Sequence, residues 1–357
     1  MSEIDATLNK VVFVCGERSF GIRDLLDAAH FRSELEPEWN SLLRCLAAEK
    51  KADEQNLEFE DDAIDLAAEQ FRYEHDLITA EETENWLTTR GLTLSDFSAY
   101  FVRQYWATQM EEVTPEEMDY FSATAELREL LTCDLLLSGE LDRMAQRSSQ
   151  RVASARAAEG RELEPELLAA ERAAFSERSG LSQTELGDWL GRLSRDAAWF
   201  EDSLAMEAIH RRDSAALLSQ EAREREVAAL RLPLTRFEVE TIELDSLDAA
   251  REALLCARED GMSMEEVAAE GRYPYRHPNL LLEEIPEDLQ QKFLSVHAGD
   301  ILEPIAHGDG FHLCRVVGKA EPDVADPVVQ ERAEARILER HFADLTTRHI
   351  QWRTLLA

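Results

Sequence analysis

The stretch "HGDGFHLCRVV", His307 to Val317, sets two glycines around an aspartate, then an aromatic residue, a histidine and an alternation of apolar and polar residues. Gly-Asp-Gly between apolar runs has the chemistry of a tight turn, because glycine reaches backbone conformations closed to other residues. The stretch predicts a hairpin, with "ILEPIA" (301–306) as one strand and "FHLCRVVGKAEP" (311–322) as the other. On the second strand His312 is either a working imidazole or the first inward side chain of a buried strand.

Working outward, "LRLPLTRFEVETIELDS" (230–246) alternates Phe237, Val239 and Thr241 with Glu238 and Glu240, the period of a strand. "SLDAAREALLCAREDGMSMEEVAAE" (246–270) reads as a helix, a glycine break and a second short helix. "IPEDLQQKFLSVHAGD" (285–300) reads as a third helix, with Gly299 as its terminator. Between them "RYPYRHPN" (272–279), rich in proline and aromatics, is expected as a surface loop over the groove. Residues 326–356 carry an apolar stripe through Val329, Ala333, Ile337, Phe342, Leu345, Ile350 and Trp352, which predicts one long amphipathic helix.

Upstream of residue 231 the pattern is helical after a short strand, "VVFVC" (11–15), and a turn, with Ser19 as the expected cap of the next helix. Pro115 opens a helix behind Thr114, with Glu117 in capping-box position. Residues 66–101 and 168–200 echo each other: both begin with "LAAE", and both place a glutamate four residues before a Trp-Leu pair, at Trp86 and Trp189. Such self-similarity predicts a duplicated helical unit, with Thr79 and Ser182 as caps, Glu82 and Glu185 closing their boxes, and both tryptophans as core anchors.

The 357 residues carry 74 acidic and 38 basic side chains, a formal charge of −36. A field of that sign repels nucleic-acid phosphates and anionic lipid and favours a basic or neutral peptide; its plain use is solubility. The five cysteines form no CxxC pair and sit among apolar residues, as free thiols of a reducing compartment do. The first twenty residues lack a basic region and a long apolar run, so a cytoplasmic location is expected. The histidines form no HxH or HExxH pair and no glycine-rich phosphate loop is present, so neither metal nor cofactor is expected.

The closing order, "AGDILEPIAHGDGFHLCRVV" (298–317), resembles the end of the parvulin (PpiC-type) peptidyl-prolyl isomerase domain in Gly299, Asp300, Pro304, Gly310, Phe311 and His312. The strand and helices of the first 230 residues resemble the SurA-like helical chaperone module. The layout is similar to NifM and to PpiC-related accessory proteins of ribosomally made peptide maturation. The resemblance implies a predominantly helical α+β chain: a chaperone-like module over 1–230, a parvulin-like α/β domain over 231–322, and a C-terminal helix over 323–357 packing back on the first module. It also implies His312 as the second histidine of a parvulin site and Leu289 and Phe293 as the proline pocket. Thr241 stands where the first histidine would be, His307 near the usual Ser or Thr, and Phe311 at the pocket edge. The Gly-Gly-Asp loop of the family is replaced by "GRYPYRHPNLLLEEIP" (271–286). With several polar positions changed, the expected function is binding of unfolded or precursor polypeptide, Pro-containing or basic, by a chaperone or maturation factor. The alternatives are an active prolyl isomerase and a non-catalytic docking subunit.

Overall fold

The computed structural model describes residues 7–110, 113–121, 124–182 and 184–353, the Ala125 side chain excepted. They build a mainly helical α+β chain with two small antiparallel sheets, in two compact units. One unit comprises the described residues within Met1–Ser214 and His341–Ala357; the other is Ala215–Arg340. Both boundaries fall inside continuous helices, Ala197–Leu217 and Pro327–His349.

In the first unit, strands β1 (Val11–Cys15) and β2 (Arg18–Gly21) form a hairpin whose turn uses Gly16 at φ +59°. Ser19 therefore lies in a strand and caps nothing. The next helix, Ile22–Phe31, starts at Gly21, whose backbone N–H donates to Asp24 at 2.8 Å. Capping boxes close at Thr79 with Glu82, Thr93 with Asp96 and Thr114 with Glu117, each satisfying two backbone or hydroxyl donors at a helix start. Ser182 donates its N–H and hydroxyl to Glu185 at 2.9 and 2.6 Å, one turn ahead of the helix Leu186–Leu193.

The two echoing stretches fold alike. Helices Asp61–Glu74, Ala80–Arg90 and Leu94–Gln109 enclose Phe71, Phe97 and Phe101, with Trp86 edge-on to Phe71 at 5.4 Å. Helices Pro165–Ser179, Leu186–Leu193 and Ala197–Leu217 enclose Phe175, Trp189 and Phe200. Trp189 is buried, whereas Trp86 is half-buried under the Arg90 guanidinium at 3.9 Å, and Leu87 is the core residue there.

The C-terminal helix stops at His349 and does not run to 356. Ile350–Trp352 turns into strand β8 and pairs antiparallel with β1, giving the order β2-β1-β8. The open edge of β1 offers backbone partners that a helix cannot use. Phe13 is then held between Phe20, stacked at 4.8 Å, and Trp352, edge-on at 5.5 Å. Residues 354–356 of the expected helix lie outside the described residues.

The second unit is built on strands β3 (Arg236–Leu244) and β7 (Gly310–Ala320), paired antiparallel from Arg236↔Ala320 to Leu244↔Phe311. β4 (Tyr275–Arg276) and β5 (Asn279–Leu281) pair with the far side of β3, and β6 (Ile305–His307) pairs with β7. The helices Leu247–Arg258 and Met264–Gly271 cover one face through Ile242, Leu244 and Leu313. The helix Glu287–Ser295 covers part of the other, where Phe237, Val239, Cys314 and Val316 meet Phe293. It ends at Ser295, before Gly299, because Val296 is already extended.

Both glycines of the turn have separate reasons. Gly308 takes φ +56°, and a Cβ on Gly310 would stand 2.6 Å from the Leu244 carbonyl oxygen. The hairpin therefore closes only with a residue that lacks a side chain at its first β7 position.

Candidate functional site on the central sheet

Side chains alternate along β3 and β7, so one face collects Thr241 and Glu243 with their cross-strand partners Cys314 and His312. On the outer strand Ile305 pairs with His312, and His307, two residues on, points the same way. His307 and His312 stack with ring centroids 4.0 Å apart and 25° between planes. Thr241 Oγ1 and Cys314 Sγ are 3.7 Å apart.

The remaining expected residues divide. Leu289 is half-buried against the same hydrophobic cluster as Ile305. Phe293 is only 4% exposed and meets Phe237 edge-on at 5.9 Å, so it is a core residue rather than the wall of an open slot. Phe311 precedes His312 by one residue and so points to the opposite face, where it packs with Ile242, Leu244 and Leu313. The alternation that brings His312 to the site takes Phe311 away from it.

Three further residues belong to this face. Glu243 pairs with Arg276 of β4 at 2.9 Å, beside His312. Cys314 lies next along β7. The alternation alone marks Glu243 and Cys314, because they share parity with Thr241 and His312. Nothing in the sequence marks Arg276, since "RYPYRHPN" carries two prolines and shows no strand period. The stretch is nonetheless tied to β3, through Thr241↔Arg276 and Ile242↔Tyr275, and is no loop lying free over a groove. Tyr275 fixes it further by donating its hydroxyl to Glu240 at 2.8 Å.

Burial, with His307 and Arg276 nearby, holds the His312 imidazole below its ordinary pKa, against the opposite pull of Glu243. The ring is therefore neutral at neutral pH. Burial likewise pushes the Cys314 thiol up, eased by the Thr241 hydroxyl, so it stays protonated. Beside the Glu243–Arg276 ion pair, the face holds a neutral imidazole, a hydroxyl and a thiol over an apolar floor. It can exchange hydrogen bonds with a peptide backbone; it presents no activated nucleophile. Among the described residues no group of three or more His, Cys, Asp or Glu converges to hold a metal ion.

No family model and no curated protein matches the chain. Among solved structures it is similar to the peptidylprolyl isomerase PrsA of Bacillus cereus, at 11% identity and TM-score 0.35 over 61% of this chain and 85% of that one. It is also similar to PrsA of Bacillus anthracis, at 15% identity and TM-score 0.30 over 58% and 94% of the two chains. A third likeness is to the SurA-like chaperones PEB4 and Cj1289 of Campylobacter jejuni, at 9% identity and TM-score 0.20 over 61% and 87%.

Proposed function

We propose that the Ala215–Arg340 unit holds an extended polypeptide segment on the His312 face of its sheet, and that the protein is a cytoplasmic chaperone or maturation factor for unfolded or precursor polypeptide. The observation that carries this reading is the composition of that face. Half-buried Leu289 and Ile305 supply apolar contact, and Thr241 and a neutral His312 supply hydrogen-bonding groups without an ionised nucleophile. The five free cysteines, Cys15, Cys45, Cys133, Cys256 and Cys314, fit a reducing compartment. The likeness to NifM and to peptide-maturation proteins rests on the sequence resemblance.

The stacked His307–His312 pair favours a second reading, an active prolyl isomerase, because two imidazoles at one slot offer polar groups to a twisted amide. One experiment separates the two. Binding of an unfolded client and isomerisation of a short Xaa-Pro peptide are measured side by side for the parent, Leu289→Ala and His312→Gln. The binding reading expects no isomerisation above the uncatalysed rate and a loss of client affinity of about tenfold or more in Leu289→Ala, the scale of one apolar side chain. Turnover in the parent that drops at least about tenfold in His312→Gln would establish the isomerase instead.

A further inference from the structure

Among the described residues β2 is the end strand of the order β2-β1-β8. The pair Cys15↔Arg18 closes the two-residue turn of its hairpin and so exchanges both backbone hydrogen bonds, and the next pair, Val14↔Ser19, exchanges none. The N–H and carbonyl of Ser19 therefore point away from β1 to the open edge, and Ser19 is exposed. An edge alone is no site, since every open sheet has one. What singles out this edge is the space beside it.

A cavity of about 130 Å³ begins at Arg18, Ser19 and Phe20 and is bounded by the helices Ile22–Phe31, Glu140–Ala157 and Ala197–Leu217. Its apolar wall is Phe20, Leu25, Phe31, Val152, Trp199 and Met206. Its charges are matched already. Arg18 lies 3.8 Å from Asp202, and Arg195 donates to Asp24 and Asp27 at 2.7 Å. Arg151 donates to Glu207 at 2.7 and 2.9 Å, and Arg32 to Glu34 at 2.8 and 3.0 Å. Each charged residue of the lining thus has a partner of opposite sign, and what the cavity offers a ligand is apolar surface. Size narrows the choice. An apolar cavity of about 150 Å³ holds one benzene ring, whereas sites for whole small molecules start at about 300 Å³. This space fits one large apolar side chain. Its mouth is at the strand, because Arg18 and Asp202 line it and both are well exposed. Their contact is a surface ion pair that yields cheaply.

Alternation joins the edge to the cavity. Arg18 and Phe20 share one face of β2 and Ser19 takes the other. In a strand added along β2, the residue opposite Ser19 points to the Ser19 face, and its two neighbours point to the face of Phe20, which lines the cavity. We propose that an extended, uncharged polypeptide segment joins this sheet as a fourth strand along β2, exchanges backbone hydrogen bonds with Ser19 and lodges one side chain of the size of Phe or Leu in the cavity. A charged side chain would enter an apolar slot with no free partner, and an acidic segment would also meet a chain of formal charge −36. A small aromatic molecule would fill the slot and leave the Ser19 backbone to water. The site lies in the first unit and is independent of the His312 face, so either can fail alone.

The test uses the full chain. All six tryptophans, Trp39, Trp86, Trp106, Trp189, Trp199 and Trp352, belong to the first unit, so tryptophan fluorescence reports on that unit alone, and Trp199 stands in the cavity wall. The probe is the peptide Thr-Thr-Phe-Thr-Thr, blocked at both ends. One twin carries Ala in place of Phe; the other is N-methylated on both neighbours of Phe, which keeps the ring and removes the strand donors. The probe should change the emission saturably, and each twin should need at least about tenfold more peptide, the scale of one buried ring or one hydrogen-bonded pair. Ser19→Pro removes the edge donor at a place where a strand tolerates proline. Ala28→Leu fills the cavity from the helix Ile22–Phe31, and it serves if Ser19→Pro melts early. Both should weaken the probe at least about tenfold, and Leu289→Ala should leave it unchanged. No saturable response in the parent, equal binding of either twin, unchanged binding in either folded variant, or a loss in Leu289→Ala would each overturn the proposal. A dimer of the parent that Ser19→Pro breaks would give the edge to a second copy of the chain and overturn it too.

Discussion

His210 lines a cavity together with Arg32, Arg151, Arg178 and Arg211 and stacks face to face on Phe342 at 4.4 Å. Burial, together with Arg151 and Arg32, pushes its pKa down to about 3 from an ordinary 6.5. The folded state thus holds the ring neutral where the unfolded chain would protonate it. Its contribution to stability is fully present above pH 6.5 and is lost as the pH falls toward 3. Between pH 7 and pH 5 the loss should be about 2 kcal/mol, from about 1.4 kcal/mol per pH unit below the unfolded pKa. Urea unfolding followed by tryptophan fluorescence should show this slope in the parent and not in His210→Phe, which keeps the stack on Phe342 and removes the titrating group. Equal slopes in the two proteins would mean that other groups, such as the buried Glu171 carboxyl, carry the pH dependence. The same scale answers the question raised by His312. Its place on the strand and its neutral state follow from alternation and burial, and these would serve a bound peptide as readily as a catalyst.

Among the elements, β8 is the one most at odds with its sequence. The stripe that defines the helix Pro327–His349 continues through Ile350 and Trp352, so periodicity alone extends the helix. The free edge of β1 wins because three residues of ladder, with Arg353 N–H donating to the Val12 carbonyl at 2.8 Å, satisfy backbone groups on both strands. Ile350 is 7% exposed and Trp352 shields Phe13. Ending the chain at His349 should cost the first unit about 2 kcal/mol or more, the scale of one buried aliphatic side chain. The urea midpoint read by the remaining tryptophans checks this. An unchanged midpoint would mean that β1 and β2 hold without a third strand. The capping boxes show the opposite case. Thr79, Thr93 and Thr114 each stand three residues before the Glu or Asp that closes the helix start, and a local motif of that kind is legible because both partners lie within one turn.

At the scale of the whole chain, 74 acidic residues against 38 basic ones set a field that acts on a charged partner before any contact forms. A basic unfolded client should associate faster at low salt, and its rate should fall as the Debye length shortens from about 30 Å at 0.01 M to about 8 Å at 0.15 M. Stopped-flow association across that range is the measurement. A flat profile would assign the charge to solubility alone. Composition alone supports this argument, because net charge is a property of the sum of residues and not of their arrangement.

What the sequence determined by itself is therefore short in range or additive: the helical first half, the alternation of β3 and β7, the turn at Gly308 and Gly310, the capping boxes and the acidic field. The tertiary structure alone decided that Phe293 is core, that Phe311 turns away from His312, that Arg276 reaches Glu243, and that the chain ends its described part as a strand on β1. It also assembled the arginine-lined cavity, where Arg32, after the helix Ile22–Phe31, and Glu207, on the helix Ala197–Leu217, lie 3.7 Å apart. The physical reason is one of distance along the chain. A turn, a cap or a period is written in neighbours, whereas an edge, a cavity or a cross-strand pair exists only once residues far apart in sequence have excluded water between them.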